Sequence, residues 1–178
     1  MDPKQAYLYA RKGKILHENG EFESAIQAYN KSMELESNNF LLYKSIAVSY
    51  SCMNKHDNAL DAYKKAVSND LNESFNADTY FKIGQIYHER NNFKEAIAYF
   101  NKAIQTDPFN ANFHFNKAES LKGLKRYEEA INSFTSAVNI KPDFTEAKKR
   151  KAILSQKLMS IRKDEQFTVK RIKCENFE

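Results

Sequence analysis

The stretch Gly20-Glu-Phe-Glu-Ser-Ala-Ile-Gln-Ala-Tyr29 decides how this chain folds, because it recurs three more times. Its counterparts are Asn54-Lys-His-Asp-Asn-Ala-Leu-Asp-Ala-Tyr63, Asn91-Asn-Phe-Lys-Glu-Ala-Ile-Ala-Tyr-Phe100 and Lys125-Arg-Tyr-Glu-Glu-Ala-Ile-Asn-Ser-Phe134, and the four align without gaps. Ala25, Ala59, Ala96 and Ala130 are thereby separated by 34, 37 and 34 residues. Upstream, Gly13, Ala47, Gly84 and Ala118 keep that spacing, each four residues after Tyr9, Tyr43, Tyr80 or His114. Downstream, Ser32, Ala66, Ala103 and Ala137 repeat it again. Self-similarity at a period of this size is the mark of a repeat architecture.

Each unit carries two apolar runs at i, i+3, i+4, i+7 spacing, interrupted at residues 20, 54, 91 and 125 and ended near Ser37, Leu71, Pro108 and Pro142. That pattern predicts helix, turn, helix. The small residues mark where paired helices approach closely, and the aromatics fill the hollows that this approach leaves. Gly20, Asn54 and Asn91 suit the left-handed backbone of such a turn. Lys125 does not, and Gly123 is expected to relax the fourth turn in its place.

On these residues the chain resembles the tetratricopeptide repeat (TPR) family, whose aromatic, Leu-Gly, Tyr, Ala, aromatic, Ala and Pro slots are matched in residues 6–39, 40–73, 77–110 and 111–144. Lys12 and Lys117 stand where Leu is usual, Ser37 and Leu71 replace the closing Pro, and residues 74–76 are an insertion. The resemblance implies an all-α fold, a right-handed α-solenoid of four helix-turn-helix TPR repeats with a C-terminal capping helix. Residues 1–144 form the array, 145–163 the cap and 164–178 a tail. On the cap, Ala147, Leu154, Leu158 and Ile161 share one face suited to covering the fourth repeat, since a helical stack needs its last apolar face closed. In the tail, Phe167, Val169, Ile172 and Phe177 read equally as an extended strand or a frayed helix.

With 42% hydrophobic residues, 29% charged residues, 4 Gly and 3 Pro, the composition suits a globular helical protein and argues against a turn-rich β fold. Cys52 and Cys174 are too far apart in sequence for a CxxC motif or zinc spacing, which fits a reducing compartment. The reading is cytoplasmic, with a nuclear location as the alternative, and without a membrane span. The net charge of +5 is local: residues 1–144 hold 18 basic and 18 acidic residues, whereas 145–178 hold 10 and 5.

Catalytic patterns are scarce: GxSxG, GxGxxG, HExxH and the phosphate loop are not found. His17 and His88 hold equivalent slots but stand two repeats apart, too far to share a metal. The chain is therefore expected to be no enzyme and to need no cofactor and no metal.

The resemblance further implies that the first helix of each repeat lines a concave groove. From helical phase the lining is Tyr7, Arg11 and Lys14; Leu41, Lys44, Ser45 and Val48; Phe81, Lys82 and Gln85; then Asn112, Phe115, Asn116 and Glu119, continued by Lys149, Arg150 and Ile153 on the cap. Phe81 and Phe115 are candidate pockets for ligand side chains, with packing on neighbouring helices as the competing reading. Arg11, Lys14, Lys44 and Lys82, set against only Asp78 and Glu119, favour an acidic or C-terminal carboxylate ligand. The expected role is an adaptor or scaffold that holds an extended peptide or helix of a protein partner, as a subunit of a larger assembly. The carboxylate clamp that related co-chaperones close on heat-shock chaperone C-termini is not matched: Ala10, Lys14, Ser45, Asp78 and Lys82 occupy its positions, which argues against that partner. The alternative is nucleic-acid or anionic-membrane binding through the basic C-terminal segment, residues 148–173, whose Lys148-Lys-Arg-Lys151 run also reads as a nuclear localisation signal or a solvated face. Four consecutive helical residues wrap more than a full turn, so they read as a solvated face rather than a phosphate-binding stripe.

Overall fold

The computed structural model describes residues 3–36, 39–69 and 76–175, with side chains as far as Gln166. The closing positions Ser37 and Leu71, and the insertion apart from Asn76, lie outside the described residues. What is described is helical, with no strand. The chain divides into two compact units, residues 1–90 and 91–178, so the boundary falls inside the third sequence repeat.

The first unit holds α1 (Pro3–Glu18), α2 (Phe22–Leu35), α3 (Phe40–Cys52), α4 (His56–Asn69) and α5 (Ala77–Glu89). Each of these helices packs on the next, and α1 also touches α3. Gly13 shows why the repeat demands a small residue. A Cβ there would stand 2.6 Å from the Tyr29 ring and 3.1 Å from the Ala25 carbonyl oxygen, so only glycine admits this helix spacing. Two turns earlier on the same face, the Ser32 hydroxyl donates to the Ala6 carbonyl at 2.7 Å. Tyr29 and Tyr63 fill equivalent buried positions, and burial raises the pKa of both phenols. His17 links α1 to α3 through a 2.9 Å hydrogen bond between its Nδ1 and the buried Ser49 hydroxyl.

The second unit holds α6 (Phe93–Thr106), α7 (Ala111–Gly123), α8 (Tyr127–Ile140) and α9 (Thr145–Glu175), each packed on the next. Its core joins Ile97, Ala118, Leu121, Ala130, Phe134 and Ala137 to Ala147 and Leu154 of α9. Asn110 caps α7 with its side chain, accepting from the Asn112 amide at 3.1 Å, as Asn39 does for α3 at Leu41.

The turns carry one correction. Gly20 has φ +82, and Asn54, Asn91 and Lys125 have φ 56, 59 and 59, so Lys125 itself takes the left-handed conformation. The geometry is that of a helix C-terminus closed by a six-to-one bond: the Glu21, Lys55 and Arg126 amides donate to the Leu16, Tyr50 and Leu121 carbonyls at 2.9, 3.0 and 3.0 Å. Gly123 does not relax the turn. It is a point of close approach, where an added Cβ would meet the Phe93 ring at 2.7 Å.

The C-terminal helix also departs from the expected division at Asp164. Its helix runs without a break to Glu175, because no Gly or Pro follows Asp143 to stop it. Phe177 lies outside the described residues.

Candidate binding face

In the first unit the sequence-derived lining comes together only in part. Tyr7, Arg11 and Lys14 of α1 and Leu41 and Ser45 of α3 border one open cavity of about 570 Å³, floored by Ala10, Tyr29 and Leu42. Tyr7, Ile15 and Leu41 expose 66%, 50% and 56% of their surface there, which is much apolar area for solvent-facing helix positions. Sequence phase missed Ile15, which sits one turn beyond Arg11, and Glu18, whose carboxylate closes one end and stands 3.9 Å from the Lys14 ammonium. The Ser45 hydroxyl is turned to its own helix, donating to the Leu41 carbonyl at 3.0 Å.

Charge is distributed differently from the simple tally of cations. Lys44 pairs with Asp78 at 3.4 Å and borders a separate cavity of about 280 Å³ with Phe40, Asn76 and Thr79. Lys14 is loosely paired with Glu18. Among the described residues, no carboxylate stands within ion-pair reach of Arg11, so its guanidinium is the cation this cavity offers to a ligand. Val48, Phe81, Lys82 and Gln85 are half-buried on α3 and α5 and do not border that cavity.

In the second unit Phe115 is half-buried and packs edge-on against Phe134, with centroids 5.5 Å apart, and tilted against Phe144 at 5.0 Å. The packing alternative raised from sequence thus describes much of its ring. The Asn116 amide donates back to the Asn112 carbonyl at 2.8 Å, which engages it within α7. Glu119 lies between Lys122, with which it pairs closely, and Arg150, whose Nε is 3.9 Å away. Arg150 also pairs with Glu146 at 2.6 Å. Lys149 is exposed. Lys148 is likewise exposed, and Lys151 is half-exposed.

No group of three or more His, Cys, Asp or Glu among the described residues is arranged to hold a metal ion. No described helix is long and apolar enough to cross a membrane.

Comparisons with known proteins agree with the hairpin geometry. Sequence profiles for the tetratricopeptide repeat match residues 6–39, 77–110 and 99–132. The TPR repeat-containing protein MJ1428 of Methanocaldococcus jannaschii is 28% identical over 160 residues, covering 86% of this chain and 28% of that protein. The chain thus spans under a third of that relative's length. Among solved structures, the crystal structure of MamA superposes with a TM-score of 0.79 at 21% identity, covering 86% of this chain and 82% of that one. YrrB, described as a TPR protein with an unusual peptide-binding site, superposes at 0.73 with 20% identity and coverages of 85% and 76%. At that identity both show the fold alone. Four recurrent hairpin motifs, the buried small residues that let their helices meet, and three profile matches lead to one assignment: the chain belongs to the tetratricopeptide repeat family.

Proposed function

We propose that this chain is a non-catalytic adaptor whose first unit holds an extended segment of a protein partner along α1 and α3. The observation that carries this reading is the cavity bordered by exposed Tyr7, Ile15 and Leu41 with Arg11 among them. Apolar surface in a concave site supplies affinity, and a single convergent cation supplies orientation. A ligand that fits presents one or two apolar side chains to Tyr7 and Leu41 and a carboxylate to Arg11, which binds it through charge-assisted hydrogen bonds. Glu18 at the far end sets a direction, because it disfavours a second carboxylate and favours a cation or an amide there. The peptide-binding site named for YrrB supports a peptide as the ligand class. The role of an adaptor, joining that partner to a larger assembly, is supported by a repeat fold that offers extended binding surfaces.

The test is a comparative pull-down from native lysate with the wild-type chain, Leu41→Glu and Arg11→Glu as baits. Leu41 and Arg11 are exposed, so both variants should fold as the wild type does, which circular dichroism checks. A partner retained by the wild type and lost from both variants is the expected result. Retention of the same partners by all three baits sinks the assignment of this face.

A further inference from the structure

The register of the repeat exposes a surface on α9 that the fold leaves uncovered. A first helix of a hairpin uses two faces. In α7, Phe113 and Ser120 are buried on one, and Ala111, Ala118 and Leu121 are buried on the other. The equivalent second face of α1, Ala6 and Gly13, meets Ser32, Tyr29 and Ala25 of α2, the second helix of the same hairpin. Advancing α7 by the 34-residue period gives Ala147 and Leu154 for the first face, and both are buried against the rest of the second unit. The second face becomes Thr145, Ala152 and Ser155. Thr145 and Ala152 are exposed and Ser155 is half-exposed.

Among the described residues, α9 continues through the slots where a covering second helix would turn back. The turn position Lys125 advances to Met159, which is 63% exposed in the middle of a helix continuing to Glu175. The second-helix slots Ala130, Phe134 and Ala137 advance to Asp164, Thr168 and Arg171, which carry no apolar face. Thus α9 starts a fifth hairpin and does not close it.

Charge identifies the kind of helix that fits. On the side of α9 toward α8, the cations are matched: Arg162 pairs with Glu128 at 3.0 Å, and the Lys157 ammonium lies 5.1 Å from the Tyr127 ring centroid. Lys148 and Lys163 flank Ala152 and Met159 at helical spacing, and Lys151 borders the stripe. Among the described residues none of these three has a carboxylate in ion-pair reach. We propose that this stripe docks an acidic amphipathic helix of a partner protein, lying on α9 as α8 lies on α7. Small residues at Ala152 and Ser155 admit close helix approach, and acidic residues flanking the incoming apolar face would neutralise Lys148, Lys151 and Lys163. A second copy of α9 is the wrong occupant, because it would bring these lysines against their own counterparts.

The probe is a fluorescein-labelled, helix-stapled peptide that keeps the Tyr127, Ala130, Phe134 and Ala137 pattern of α8 and places Glu at its outward positions. It is titrated with the full chain and followed by anisotropy. A twin with Lys at the outward positions, a single-stranded oligonucleotide and phosphatidylserine vesicles are run alongside. Expected are saturable binding of the acidic peptide, at least tenfold weaker binding of the basic twin, and at least tenfold loss in Ala152→Trp and in Lys148→Glu with Lys163→Glu. All three positions are exposed, so helicity by circular dichroism should match the wild type, and the charge variant decides the matter if the Trp variant misfolds. No binding of the acidic peptide, equal binding of both peptides, or binding unchanged in the variants overturns the proposal. So does binding of only the oligonucleotide or vesicles, and so does a concentration-dependent dimer that Ala152→Trp abolishes.

Discussion

Replacing Lys125 by glycine should stabilise the second unit, although it removes a side chain. Lys125 sits at φ 59, where its Cβ crowds the following carbonyl. That conformation costs an L-residue other than Gly, Asn or Asp about 1–2 kcal/mol. Glycine relieves this strain but gives the unfolded chain more freedom, a loss of about 0.4–1 kcal/mol. The net gain is about 0.5–1 kcal/mol, since the exposed Lys125 makes no ion pair among the described residues that would be lost. In a chain of this size that raises the melting temperature by roughly 2 °C. Urea melts followed by circular dichroism measure the gain, and hydrogen exchange of the α7 and α8 amides places it in the second unit. Gly123→Ala is the control, because its Cβ would press on the Phe93 ring at 2.7 Å and force that ring to move, costing about 1 kcal/mol or more. If Lys125→Gly destabilises, the left-handed backbone at 125 carries no strain that glycine relieves, and the reasoning fails.

Three further outcomes follow from single residues. Leu154→Ala, which empties a buried site on α9, should cost about 2–4 kcal/mol in a urea melt, whereas Met159→Ala on the open stripe should change it by less than about 0.5 kcal/mol. Tyr7→Ala with Leu41→Ala should leave the melting temperature within about a degree and weaken a captured partner's peptide by about 2 kcal/mol in calorimetric titration. Burial lowers the pKa of Lys117, so between that lowered value and the ordinary lysine value of 10.5 the unfolded chain binds more protons and stability rises with pH. Lys117→Leu, the residue usual at this repeat slot, should therefore raise stability at pH 7, and melts at increasing pH should show the advantage shrinking as pH approaches that value.

What the sequence made legible was whatever the repeat enforces four times. Ala25, Ala59, Ala96 and Ala130 are fully buried, and Tyr29, Tyr63, Phe100 and Phe134 fill matching core positions, because close helix approach leaves no other residue types room there. Contacts made once, by side chains with reach, were not legible. The pairing of Lys44 with Asp78 and of Arg150 with Glu146 depends on rotamers that carry no periodic signal, so counting cations overstated the free charge of the face. Phe115 occupies a slot that helical phase assigns to the groove, yet its ring is long enough to reach Phe134 and Phe144. The left-handed Lys125 was hidden because the turn is imposed by the hairpin around it, against the residue's own preference. The length of α9 was hidden for a related reason: weakening apolar periodicity after Asp164 reads as the end of an amphipathic pattern, but only a stop signal ends a helix.

The central claim is that the first unit binds a partner segment on the α1 and α3 face. Heteronuclear NMR of the isotopically labelled full chain, titrated with the peptide mapped from a captured partner, tests it most directly. The account predicts that the largest shift changes fall on Tyr7, Arg11, Ile15, Leu41 and Ser45, with Arg11 Nε responding when the peptide carboxylate is present and not when it is amidated. Shifts confined to the outer faces of α2 and α4, or an Arg11 signal indifferent to that carboxylate, would contradict it.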